Sequence, residues 1–157
     1  MELKQAVETL ESKDEFKQWK KEHSDFYLAH GFMIKEENQD WQIGYTDGEK
    51  VVTFFLEPFN ILPEQESYKK PDQKIQKLDK NELKLSFEEV MRIFNSLCMK
   101  KYSAEAISKT IIIVQNVGTQ VFNITGLTMS LKTLNVKIDM SGKVIEDSCK
   151  SLIDQNQ

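Results

Sequence analysis

Histidine and cysteine, from which most metal sites and many nucleophilic centres are built, are nearly missing from this sequence: His23, His30, Cys98 and Cys149 are the whole supply. No two of them fall at HxH, HxxxH or CxxC spacing, so no metal site is expected. Phosphate-cradling loops of the GxxxxGKS/T or GxGxxG type and a GxSxG nucleophile elbow are absent as well, and no cofactor is expected. Nowhere does an apolar run approach the ~18 residues of a membrane span. The opening stretch MELKQAVETLESKDEF has neither a basic start nor an apolar segment, so it does not read as a signal peptide. The expected location is the cytoplasm, or outside the cell if a leader has been removed. An excess of positive charge is lacking too: the net charge of −4 disfavours phosphate-backbone binding. The densest lysine stretch, Lys69 to Lys84, is broken by Asp72, Asp79 and Glu82 and reads as a solvated linker. Cys98 and Cys149, far apart, read as buried free thiols in a reducing compartment, with a single disulfide as the alternative.

What is present is the material of a folded protein. Hydrophobic residues make up 39% and charged residues 29%, and nine phenylalanines are available for a core. A chain of 157 residues makes one ordinary domain or two very small ones. Leu3, Ala6, Val7 and Leu10 form one stripe of an amphipathic helix. Ser12 and Glu15 have capping-box spacing, which predicts a break and a restart carrying Phe16 and Trp19 to about Lys21. Tyr27 to Ile34 reads as a strand with Leu28, His30, Phe32 and Ile34 on one face. On that face His30 is expected to be a hydrogen-bonded sheet or core histidine, not a ligand. Trp41, Ile43 and Tyr45 alternate with polar residues as a second strand. Asp47-Gly48 then predicts a hairpin into a third strand, Val51 to Leu56, with regular pairing ending at Pro58. The stretch 58–85 reads as a connection with short strands at Lys74–Leu78 and Leu83–Leu85.

The second half opens on a capping pair, Ser86 and Glu89, and an apolar stripe of Phe87, Val90, Met91, Phe94, Leu97 and Cys98. Strands follow at Ile111–Val114, at Gln120–Thr125 and around Leu134–Ile138, and Val144–Ile153 reads as a closing strand or short helix. Both halves thus run helix, strand, strand, strand. The fold class expected is α+β, with two helix-plus-three-stranded antiparallel sheet units. The first covers residues 1–62, the connection 63–85 and the second unit 86–157; the halves pair edge to edge or pack face to face. Over residues 86–146, the helix Phe87–Leu97, the strand Val121–Thr125 and the stretch from Val136 through Asp139 and Gly142 to Ile145 resemble the PepSY domain family. The resemblance implies a helix on a curved antiparallel sheet (a tandem PepSY- or cystatin-like arrangement) and a protein-binding or protease-inhibiting accessory role without catalysis.

Glu36-Glu37 sits in an expected turn, and Glu88-Glu89 in a helix's first turn, where negative charge suits the dipole. No catalytic residue is nominated, and the chain is not expected to be an enzyme. Trp41 and Tyr45 either cover the first helix or line a binding surface. Asn123 and Thr125, with Thr128 and Ser130, are either an exposed sheet face or a polar concavity for an extended peptide. Trp41, Tyr45, Asn123 and Thr125 are therefore the candidate binding residues. The expected function is a non-catalytic protein-binding or inhibitor-like module whose partner is another protein or peptide, not nucleic acid or membrane. The oligomeric state stays open. The alternatives are a small-molecule binder with a pocket between helix and sheet, and an enzyme of unrecognised type.

Overall fold

The computed structural model describes residues 1–38, 40–66 and 75–152. Two short helices, α1 (Leu3–Ser12) and α2 (Asp14–Glu22), lead into β1 (Tyr27–Ile34), β2 (Gln42–Thr46) and β3 (Lys50–Leu56), with β4 (Phe59–Ile61) and β5 (Gln65–Glu66) after them. A 3-10 turn at Lys80–Glu82 precedes α3 (Phe87–Lys101) and the meander β6 (Ile107–Asn116), β7 (Gln120–Thr128), β8 (Lys132–Asp139) and β9 (Val144–Ser151). Every pairing is antiparallel, and the class is α+β.

The helix boundaries follow from local chemistry. α1 and α2 break at Lys13, whose backbone is extended. Ser12 does not cap the restart as its spacing suggests: its hydroxyl donates back to the Thr9 carbonyl at 2.7 Å, leaving Lys13 in the cap position. Ser86 does cap α3, accepting the Glu89 N–H at 3.0 Å. A second acceptor reaches the same helix start from the other end of the chain, since the Glu2 carboxylate takes the Phe87 N–H at 2.8 Å.

The sheet departs from the expected pair of three-stranded units. It is one continuous sheet in the order β4-β3-β2-β1-β6-β7-β8-β9, with β5 also paired to β3. The join lies between β1 and β6, from His30↔Gln115 to Ile34↔Ile111. Each half also carries more strands than three. Pro58 does not end the pairing; the chain reverses there and β4 returns along β3, Phe54 opposite Ile61. The strand expected at Leu83–Leu85 is not formed, and that at Lys74–Leu78 is irregular from Ile75 onward, Lys74 lying outside the described residues. This segment is held instead by single bonds, such as Leu78 N–H to the Leu28 carbonyl at 2.9 Å. The last element is a strand through Ser151, Ile153 lying outside the described residues.

A β-bulge between Leu28 and His30 re-phases β1. Leu28 therefore joins the helix-side core while His30, Phe32 and Ile34 point the other way, which corrects the single face expected for all four. On the helix side, Gly31, Met33, Ile43, Tyr45, Val52, Phe54, Ile112, Val114, Phe122, Ile124, Leu134, Val136 and Ile138 form a floor on which the helices rest. Phe16 packs on Tyr45 and Phe54 with ring centroids 5.1 and 5.2 Å apart. Val90 and Phe94 of α3 are buried over the second half. Gly31 lets α1 come close: a Cβ there would lie 2.6 Å from Leu3 Cδ1.

Candidate functional site

The other face of the sheet carries no helix among the described residues. Strand register lays its side chains out in rows. One row runs Gln42, Phe32, Ile113, Asn123, Lys137 and Glu146 across the strands from β2 to β9. The next runs Ile34, Ile111, Thr125, Asn135 and Ser148. Where β1 meets β6, Phe32, Ile34, Ile111 and Ile113 therefore meet in an apolar quartet, each half-buried. On the β7 and β8 side the surface turns polar. The Asn135 amide donates to Asn123 Oδ1 at 2.6 Å and to Thr125 Oγ1 at 3.0 Å. Charged groups lie at its margins, among them the pairs Lys137–Glu146 at 3.2 Å and Lys109–Glu37 at 3.8 Å.

His30 stands beside the quartet on this face. Its ring covers Gly44 so closely that a Cβ on Gly44 would lie 2.1 Å from His30 Cε1. Burial holds its pKa below the ordinary histidine value, so it is neutral at pH 7. Among the described residues no group of three or more His, Cys, Asp or Glu side chains is placed to hold a metal ion.

The four residues singled out in the sequence divide between the two faces. Trp41 and Tyr45 are buried on the helix side. The Trp41 indole N–H donates to the Met1 carbonyl at 3.0 Å, and its ring meets Phe87 edge-on. Tyr45 packs on Phe16, its hydroxyl reaching Glu11 at 3.5 Å, and burial followed by the Glu11 charge pushes its pKa up. They cover the first helices, one of the two roles open to them. Asn123 and Thr125 sit together on the helix-free face, joined through Asn135. Thr128 and Ser130 belong to a separate knot with Glu105 and Lys132.

No protein family, characterised protein or solved structure matches the chain. The space between helices and sheet beside Leu3, Trp41, Leu83 and Phe122 is about 10 Å³, room for about one water. Larger hollows are surface grooves. One of about 830 Å³ is flanked by Lys17, Lys20, Lys21 and Lys77, with Glu11 and Asp25. Another of about 820 Å³ runs along α3 past Phe87, Met91 and Met99.

The quartet is missed in sequence because an apolar residue in a strand reads as facing a core. Its signal is nevertheless present. In Phe32-Met33-Ile34 and Ile111-Ile112-Ile113-Val114 both alternate positions are apolar, whereas Leu134–Asp139 alternates apolar with polar. A strand apolar on both faces is one whose second face is also meant to be covered.

Proposed function

We propose that this chain is a non-catalytic protein-binding module that docks another protein on the helix-free sheet face. The observation carrying this reading is the quartet Phe32, Ile34, Ile111 and Ile113, on a face over which no helix lies among the described residues, bordered by the Asn123, Thr125 and Asn135 network. An apolar centre with hydrogen-bonding and paired charged groups at its margin is the anatomy of a protein interface. The size is adequate: with strands ~4.8 Å apart and a usable depth of ~17 Å, the face spans roughly 650 Å², near the ~800 Å² each partner contributes to a standard interface. The resemblance of residues 86–146 to PepSY domains supports the same reading. So does the order of helix then meander in both halves, which we take as two such units fused through β1 and β6. We place its work in the cytoplasm; among the described residues no helix is long and apolar enough to cross a membrane.

Strand addition at β9 is the second mode, because among the described residues β9 pairs only with β8. Glu146, Asp147 and Lys150 on that strand are the charges by which natural edges discourage pairing, so the face is preferred. The test places a photo-crosslinking residue at position 113 and, as control, at position 17 on α2. A protein captured from position 113, absent from position 17, and lost on adding Ile111→Asp is the expected result. Equal capture from both positions, or capture indifferent to Ile111→Asp in a variant with unchanged circular dichroism, overturns the proposal.

A further inference from the structure

Cys98 and Cys149, remote in sequence and the chain's entire cysteine content, are brought to one place where the end of α3 lies over the edge strand β9. Two bonds pin that place. The Tyr102 hydroxyl donates to Asp147 Oδ1 at 2.5 Å, and Lys101 Nζ reaches the same oxygen at 2.7 Å. Cys98 is one helical turn before Tyr102 on the same side of α3, its carbonyl accepting the Tyr102 N–H at 2.9 Å. Cys149 is two residues beyond Asp147 and so on the same face of β9, opposite the core residue Leu134. Cys149 lies close enough to add to burial in disfavouring ionisation of Cys98, and the Tyr102 hydroxyl feels both sulfurs. Neither is bonded, and both are half-buried. A packed residue touches about 6–12 others. By chance, two given residues of a 157-residue chain would therefore be neighbours roughly one time in twenty.

The two sulfurs have different surroundings. Cys149 lines a cleft of about 470 Å³ together with Lys101, Tyr102, Glu105 and Lys132. Solvent and small thiol reagents reach it there. Cys98 packs against the core, where burial pushes its thiol up.

We propose that Cys98 and Cys149 form a reversible intramolecular disulfide that staples the end of α3 to β9. The oxidant is a low-molecular-weight disulfide of the glutathione class. The Cys149 thiolate attacks one of its sulfurs, the S–S bond breaks, and one small thiolate leaves. Cys98 then loses its proton to solvent and attacks the Cys149 sulfur of the mixed disulfide, releasing the second small thiolate. Two protein thiols become one S–S bond, the reagent is reduced to two thiols, and the two protons lost by the protein end on them.

The experiment incubates the folded full chain with oxidised glutathione and follows intact mass, tryptic peptides and melting temperature. The expected product has lost two hydrogens, yields a peptide joining Cys98 to Cys149, and melts on the order of 10 °C higher than the reduced protein, a gain removed by reductant. Cys98→Ser stops at the mixed disulfide, one glutathione heavier, and Cys149→Ser stays unmodified over the same time. Wild-type protein that ends with two separate glutathione adducts, or that joins the cysteines only in denaturant, overturns the proposal. The supporting and the overturning outcome are both measured on wild-type protein, so neither depends on how the serine variants fold.

Discussion

The two faces of this sheet are built from the same strands and meet different fates. On β1, Met33 is almost entirely buried under the helices while its neighbours Phe32 and Ile34 reach solvent on the reverse. On β6, Ile112 and Val114 are sealed, and Ile111 and Ile113 are not. Composition does not separate the faces along this seam, since both are apolar. What separates them is that α1, α2 and α3 all lie on one side. A face left apolar without its own cover is a candidate for an outside one.

Truncating matched side chains on the two faces should separate them most widely. Phe54 is fully buried, with Phe16, Trp19, Tyr45 and Phe59 around it. Phe54→Ala is expected to lower unfolding free energy by ~3–5 kcal/mol, because the cavity is walled by rings that have little freedom to collapse into it. Ile113→Ala, which removes a half-buried side chain over which no helix lies among the described residues, is expected to lose about 1 kcal/mol or less. Urea denaturation of the isolated chain measures both. A loss at Ile113 as large as that at Phe54 means that the helix-free face is packed after all, and the docking proposal falls with it.

Two glycines sharpen the same contrast, one on each face. A Cβ on Gly31 would meet Leu3 Cδ1 at 2.6 Å and Cδ2 at 2.7 Å, and Leu3 is buried between α1 and the sheet. Gly31→Ala is therefore expected to cost ~1–3 kcal/mol, since α1 must lift for the methyl to fit. A Cβ on Gly44 would strike the His30 ring harder, at 2.1 Å from Cε1. That ring is the end of a half-buried side chain on the helix-free face, so a side chain and not a helix must shift. Gly44→Ala is expected to cost under ~1 kcal/mol and to release His30 into water, so that its pKa rises toward the ordinary histidine value of about 6.5. Imidazole titration by NMR reads the second effect directly. A His30 pKa unmoved by Gly44→Ala would place the ring where it cannot leave, against an open face.

How much of this is legible in sequence depends on the range of the interaction concerned. β1 runs from Tyr27 to Ile34 as the apolar run suggests, and Ser86 caps α3 as its spacing to Glu89 suggests. Both are fixed by residues within one turn or one strand. The bulge at Leu28–His30, the return of β4 past Pro58 and the join of β1 to β6 are not legible, because each depends on which backbone lies opposite. The candidate site suffers from the same blindness. Asn123 and Thr125 stand out in sequence for their polarity and lie on the helix-free face, where Asn135 ties them together. Trp41 and Tyr45 stand out for aromatic area, and the helices take that area for the core.

The smallest expected effect concerns the margin of the covered face, where α3 ends over β9. Hydrogen bonding to Asp147, then burial, pushes the Tyr102 hydroxyl up to about 12, and Lys101 followed by Tyr102 holds the Asp147 carboxyl below its ordinary value. The signs are opposite at the two ends of the pH scale. A raised phenol contributes stability that is complete below its unfolded value near 10 and is lost as pH rises through about 12. A depressed carboxyl contributes stability that is present above its unfolded value near 4 and is lost as pH falls through the lower folded one. Tyr102→Phe should thus flatten the decline in unfolding free energy between about pH 10 and 12. It should not abolish the decline, because burial of Tyr45, then its Glu11 neighbour, raises that phenol too. It should leave the quartet on the reverse face untouched, which hydrogen exchange at Ile111 and Ile113 can show. Alkaline loosening that reaches those amides as early as it reaches β9 would mean that the two faces yield together and that the margin of α3 has no separate stability.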